Sequence, residues 1–138
     1  METTPGGLEE EDRGPLVEVS PPEGRSEPLR KRRAILAMVT ALHRGGVPAD
    51  RLSGLLPRSK FLSVDGTLSG EDLAGAFIAT YPRAIGNLRR WFLEEPIHEL
   101  GRTWVLSKMW GSTTEETLEQ LVGLAPTEGY GYEPVNQP

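Results

Sequence analysis

Proline and glycine limit every element of this chain to a short length. Twelve prolines and sixteen glycines are spread over 138 residues, and proline breaks a helix interior while glycine weakens it. Gly45-Gly46, Pro48, Pro57, Asp65-Gly66, Tyr81-Pro82, Pro96 and Gly101 therefore act as boundaries, and only short helices and strands fit between them. A chain of this length is one domain by default.

Between the boundaries the apolar spacing is regular. Ile35, Met38, Val39 and Leu42 recur at i, i+3, i+4 and i+7, which is one face of a helix that Gly45-Gly46 stops. Leu52, Leu55 and Leu56 form a shorter stripe after Pro48, which suits a first-turn position, and Pro57 ends it. Residues 60–64 predict a strand closed by the turn dipeptide Asp65-Gly66. Ser69 with Asp72 resembles a capping box, and Leu73, Ala76, Phe77 and Thr80 mark the helix that follows. Pro82 breaks that helix and a new one is expected over residues 83–93. Residues 97–100 and 103–109 read as two strands around a Gly101-Arg102 turn. Thr113 and Glu116 form a second capping box, followed by an amphipathic helix carrying Leu118, Leu121, Val122 and Ala125.

Charge is unevenly distributed. Residues 1–29 carry eight acids against two arginines, a net of −6. Residues 30–110 carry thirteen bases against seven acids, a net of +6, and residues 111–138 carry five acids and no Lys or Arg. The total of −5 thus conceals a basic centre between acidic ends, an asymmetry that points toward nucleic-acid contact or acidic tails. Residues 1–29 are rich in proline, and their few apolar residues (Leu8, Leu16, Val17, Val19) show no sustained period. They are expected to be a disordered acidic tail, residues 126–138 a flexible one with Tyr130, Tyr132 and Val135 as sticky points, and residues 30–125 the folded domain.

The expected order is helix, helix, strand, helix, helix, hairpin, helix. This resembles the winged helix-turn-helix arrangement, with one extra short helix near Leu52, over about 80 residues. The expected fold is therefore α+β, mainly helical, with a short three-stranded sheet. The resemblance implies that the helix over 83–93 is the recognition helix. At about 100° per residue, Ile85, Leu88 and Phe92 share one arc, and Arg83, Asn87 and Arg90 share the opposite one. Arginine and asparagine are the residue types that grip guanine and adenine edges bidentately. Arg102 is expected at the hairpin tip, and Arg30, Lys31, Arg32 and Arg33 at the first helix are expected to meet phosphates. The same stripe also suits a plain solvated face, and Gly86 weakens the helix.

Trp104 is expected to pack in the core beside Leu106, Trp91 to lie at the core edge or stack on a base, and Trp110 to cap the domain or meet a partner. Catalysis is not expected. Cysteine is absent, His43 and His98 have no spaced metal partners, and no nucleotide-binding or zinc-protease motif occurs. Glu94, Glu95, His98 and Glu99 cluster locally, and chance explains that better than acid/base chemistry. No cofactor, metal or membrane contact is expected, and a reducing cytoplasm suits the missing cysteines. Two functions remain open: binding of nucleic acid, with duplex DNA expected, and binding of a protein partner on the same fold.

Overall fold

A computed structural model describes residues 16–110 and 114–135. It is a small α+β protein whose described residues form four helices and two antiparallel sheets, one of two strands and one of three. The chain divides into two compact units. Among the described residues, 16–47 with 109–110 and 114–135 make one, and residues 48–108 make the other. The first helix, expected to open a domain spanning 30–125, thus groups with the chain ends. No helix among the described residues is long and apolar enough to cross a membrane.

The unit made from the ends has order in stretches expected to be tails. Leu16–Ser20 forms β1 and pairs antiparallel with a C-terminal strand, Gly131–Val135, from Leu16 opposite Val135 to Ser20 opposite Gly131. Val17 and Val19 are buried while Leu16, Glu18 and Ser20 are half-buried, which is the alternation of a strand. Their backbone groups turn away from the partner strand. Val17 exchanges both hydrogen bonds with Leu29 at 2.8 Å, and Val19 receives the Ser26 N–H at 2.7 Å and donates to Ser26 Oγ at 2.9 Å. Pro134 lies opposite Val17 in this register. It therefore occupies a position where the ladder needs no N–H, and its missing donor costs nothing. The remaining expected tail residues, 1–15 and 136–138, lie outside the described residues.

Helix α1, Lys31–Arg44, supplies the apolar surface of this unit. The expected face of Ile35, Met38, Val39 and Leu42 is buried, and Ala34, Leu36 and Ala41 widen it. It packs on β1 and on the helix Thr114–Val122, which buries Thr117, Leu118 and Leu121. Thr113 of the expected capping box lies outside the described residues, while Glu115 and Glu116 stand in that helix's first turn, where the dipole favours acids.

In the second unit, α2 (Ala49–Leu55) leads through a 3₁₀ turn into β2 (Phe61–Asp65), and α3 (Gly70–Thr80) follows. Ser69 stands at the N-cap of α3, but its side chain makes no capping hydrogen bond, so the expected capping box does not form. Strands β3 (Ile97–Glu99) and β4 (Arg102–Leu106) make a hairpin, and the sheet order is β2-β4-β3. With the C-terminal strand as β5 and the last helix as α4, the element list is complete. Leu62, Val64 and Val105 face α3, and a core forms from Val64, Leu73, Phe77, Ala84 and Val105. Trp104 takes the other face. It is half-buried and stacks on Phe61 with ring centroids 5.0 Å apart, instead of entering that core.

The hairpin turns one residue earlier than its sequence suggests. Glu99 pairs with Arg102, so Leu100 and Gly101 make the turn, with φ of 51° and 78°. Two positive φ values match a type I′ turn, whose twist fits the strands better than the expected glycine-first turn over Gly101-Arg102. Leucine is strained in this backbone region, and its side chain is 96% exposed. Leu100→Asn gives the Asn-Gly pair that such turns favour and is expected to raise stability by about 1 kcal/mol. Urea unfolding of the two proteins checks it.

Tyr132 of β5 donates its hydroxyl to Glu119 Oε1 of α4 at 2.8 Å. Its pKa is pushed up to about 12, first by desolvation, then by that hydrogen bond and by the negative charges of Glu119 and Glu115. The folded chain therefore holds this proton more tightly than the unfolded one, where the value is the ordinary 10.0. The resulting stability is complete below about pH 10 and is lost as pH rises toward about 12. Tyr132→Phe is expected to show a shallower alkaline loss than the unaltered chain in unfolding experiments across that window.

Candidate functional site

Helix α3 ends at Tyr81 because Pro82 follows, and no second α-helix begins. The expected recognition helix over 83–93 is replaced by two three-residue 3₁₀ turns, Pro82–Ala84 and Leu88–Arg90. Its turns are closed by hydrogen bonds that span three residues: Ala84 to Tyr81, Ile85 to Pro82, Asn87 to Ala84, Arg90 to Asn87 and Trp91 to Leu88. Gly86 explains the break. It adopts φ of +89°, a left-handed conformation no helix accommodates, and the cost in helix propensity that it carries is realised as a kink.

This changes which side chains face outward. Ile85, assigned to the buried face of a helix, is 67% exposed. Leu88 is half-buried and Phe92 buried. Past the second turn the chain runs beside the end of β4. Phe92 N–H donates to the Leu106 carbonyl, and Lys108 N–H donates to the Arg90 carbonyl, both at 2.8 Å. The Lys108 ammonium lies 5.2 Å from the Phe92 ring centroid and 3.4 Å from a Glu94 carboxylate oxygen.

Three aromatic rings meet at this point. Phe77, buried on α3, is tilted against Tyr81 at 5.2 Å and edge-on to Trp91 at 5.0 Å. Tyr81 donates its hydroxyl to the Ser63 carbonyl at 2.7 Å, which fixes the ring against β2. Trp91 is half-buried at the core edge. Together with Leu62, Pro82 and Ala84 these rings wall a groove of about 530 Å³. Arg83, Asn87, Ser59 and Thr80 contribute its polar lining. Asn87 is half-buried, and its Oδ1 is buried with no hydrogen-bond partner.

The expected site residues lie on several elements. Arg83 and Asn87 line the groove, and exposed Arg90 lies in the turn beside it with exposed Arg89, which the helical wheel did not select. Residues 73–93 contain these three arginines and no acid. Arg102 opens β4 rather than occupying the hairpin tip, and its guanidinium donates to Asp65 at 2.6 Å and to Ser63 Oγ at 3.1 Å. Ser63 is also the residue whose carbonyl accepts the Tyr81 hydroxyl. Arg30 stands at the N-cap of α1, and Lys31, Arg32 and Arg33 fill its first turn, in the unit made from the chain ends.

The local acid cluster is dispersed. Glu99 Oε1 accepts the Ala49 N–H at 2.7 Å, so its carboxylate serves the N-terminus of α2. His98 Nε2 lies 2.7 Å from the Leu68 carbonyl and is the protonated nitrogen there. Among the described residues no group of three or more His, Asp or Glu side chains is placed to hold a metal ion.

Compared with known proteins, the chain matches no family model, no curated protein and no solved structure.

The aromatic groove depends on Phe77, which both neighbouring rings touch. Phe77→Ala is expected to cost about 3–5 kcal/mol of stability, the range for emptying a buried aromatic site. Denaturant unfolding followed by tryptophan emission measures it.

Proposed function

We propose that this chain is a non-enzymatic nucleic-acid-binding protein, with duplex DNA as the expected target, that binds through the face around Arg83, Asn87, Arg89 and Arg90. One observation carries the reading: an acid-free stretch carries three exposed arginines, and the first of them, Arg83, lines a groove walled by aromatic rings. Arginines release counterions from phosphates, and flat rings accept bases, so the two features together suit one class of ligand. The sheet order β2-β4-β3, with its hairpin following α3, supports a winged-helix-like reading. In that reading the kinked segment stands where a recognition helix would be, and the face it offers is irregular rather than cylindrical. The basic first turn of α1 adds support, because cations there oppose the helix dipole and lower helix stability.

The acidic ends moderate nonspecific binding in this proposal. Glu18 and Glu23 already pair with Arg25 at 3.2 Å and Arg44 at 3.1 Å. The run Glu9, Glu10, Glu11 and Asp12 is the densest block of acid left to compete with phosphates. A second reading, in which a protein partner is bound, is favoured by Ile85 and Leu100, the two large apolar side chains left exposed among the described residues.

Salt titration of DNA binding separates the two. The full chain is expected to bind at about 50 mM salt and to weaken steeply as salt rises. Arg83→Glu with Arg90→Glu is expected to lower affinity at least about tenfold and to flatten the salt slope by about 1 per lost contact. Changing Glu9, Glu10 and Glu11 to Gln and Asp12 to Asn is expected to raise affinity at low salt. Absence of binding to any DNA or RNA at low salt overturns the proposal and leaves the protein-partner reading.

A further inference from the structure

We propose that the groove beside Asn87 holds a single unpaired nucleobase, which Asn87 reads through the base's Watson–Crick edge. The inference rests on the nucleic-acid reading above and adds to it a specific ligand and a place for it.

The groove's volume, about 530 Å³, lies within the range of small-molecule sites and has room for a base with its sugar. Its walls are chemically suited to a flat ring. Tyr81 is anchored through its hydroxyl to Ser63, and Trp91 is held edge-on by Phe77, so two half-buried π surfaces are fixed before any ligand arrives. Stacking on rings that need no reorganisation is the sequence-tolerant part of single-strand recognition.

Asn87 supplies the polar part. A carboxamide presents an acceptor and a donor side by side, and its Oδ1 here is buried without a donor. That oxygen is covered in the unliganded chain, so it reaches a ligand only when the amide turns about its terminal torsion. A base offers the complement, because each Watson–Crick edge carries a donor next to an acceptor, and rotation about the terminal torsion of Asn87 lets the amide match either order. That edge is occupied in a paired duplex. The ligand is therefore a base with no partner, in a bulge, a single strand or extruded from the stack. Charge fits the same occupant: Arg83 lines the groove, and the exposed Arg89 and Arg90 follow in the next turn, so the strand's phosphates meet cations on this segment.

The test uses the full chain and fluorescence anisotropy with three labelled DNA duplexes. One is fully paired, one carries a single bulged base, prepared with each of the four bases, and one carries an abasic bulge of the same backbone. The bulged-base duplexes are expected to bind about tenfold tighter than both others. Asn87→Leu is expected to lose most of that preference, keeping only the share that stacking on Tyr81 and Trp91 contributes. Its thermal midpoint should be equal to or above that of the unaltered chain, because an unsatisfied acceptor has been removed. Equal affinity of the unaltered chain for base and abasic bulges overturns the base site, as does an Asn87→Leu protein that keeps the preference. In both cases DNA binding itself stands. A chain that binds none of the three duplexes overturns this inference and the nucleic-acid reading together.

Discussion

Strand β4 is the reference against which the unit of residues 48–108 is assembled. It alone in its sheet has neighbours on both sides, with β2 along its whole length and β3 along its first half. Its continuation also receives residues 90–92, through hydrogen bonds at Leu106 and Lys108. The register of β4 therefore decides three things together: which residues face α3, where the hairpin turns, and where the arginine-bearing segment lies. Since side chains alternate along a strand, a shift of one residue would exchange Thr103 and Val105 for Trp104 on the core face.

Thr103 shows how firmly that register is held. Its side chain is fully buried, and the hydroxyl donates to the Gly66 carbonyl at 2.6 Å while accepting the Leu68 N–H at 2.9 Å. A buried hydroxyl satisfied on both sides fits one register only. The same pair of bonds fixes the loop leading into α3. The position of Phe77, and of the rings around it, thus follows from a strand pairing that is completed some distance away in sequence.

Much of this was legible in the sequence wherever a single local rule sufficed. The faces of α1 and α3 follow from apolar spacing, and their ends follow from Gly45 and Pro82. The three-stranded sheet follows from the same boundaries. Legibility failed where two rules competed. The wheel over residues 83–93 is amphipathic, but Gly86 takes a left-handed conformation, and backbone geometry prevailed over periodicity. Gly101 signalled a turn, yet the turn type that fits strand twist moved it back onto Leu100. Val17 and Val19 form too short a pattern to stand alone, and their partners Leu29 and Pro134 are respectively near and very far in sequence. The groove was not legible at all, because Phe77, Tyr81 and Trp91 come together only after the helix breaks. The signals for it, Tyr81-Pro82 and Gly86, read first as interruptions.

The β1–β5 pairing joins the two ends of the described chain, and this sets an order of events during synthesis. A ribosome delivers residues from the N-terminus onward, so β1 and α1 emerge long before Gly131–Val135 and the helix at Thr114–Val122 that complete their unit. The unit of residues 48–108 has every strand and helix it needs once Lys108 has left the exit tunnel. The groove is thus finished while the unit that encloses it in sequence is still waiting for its last strand, and the slow, long-range closure falls on the part of the chain that carries the acidic ends.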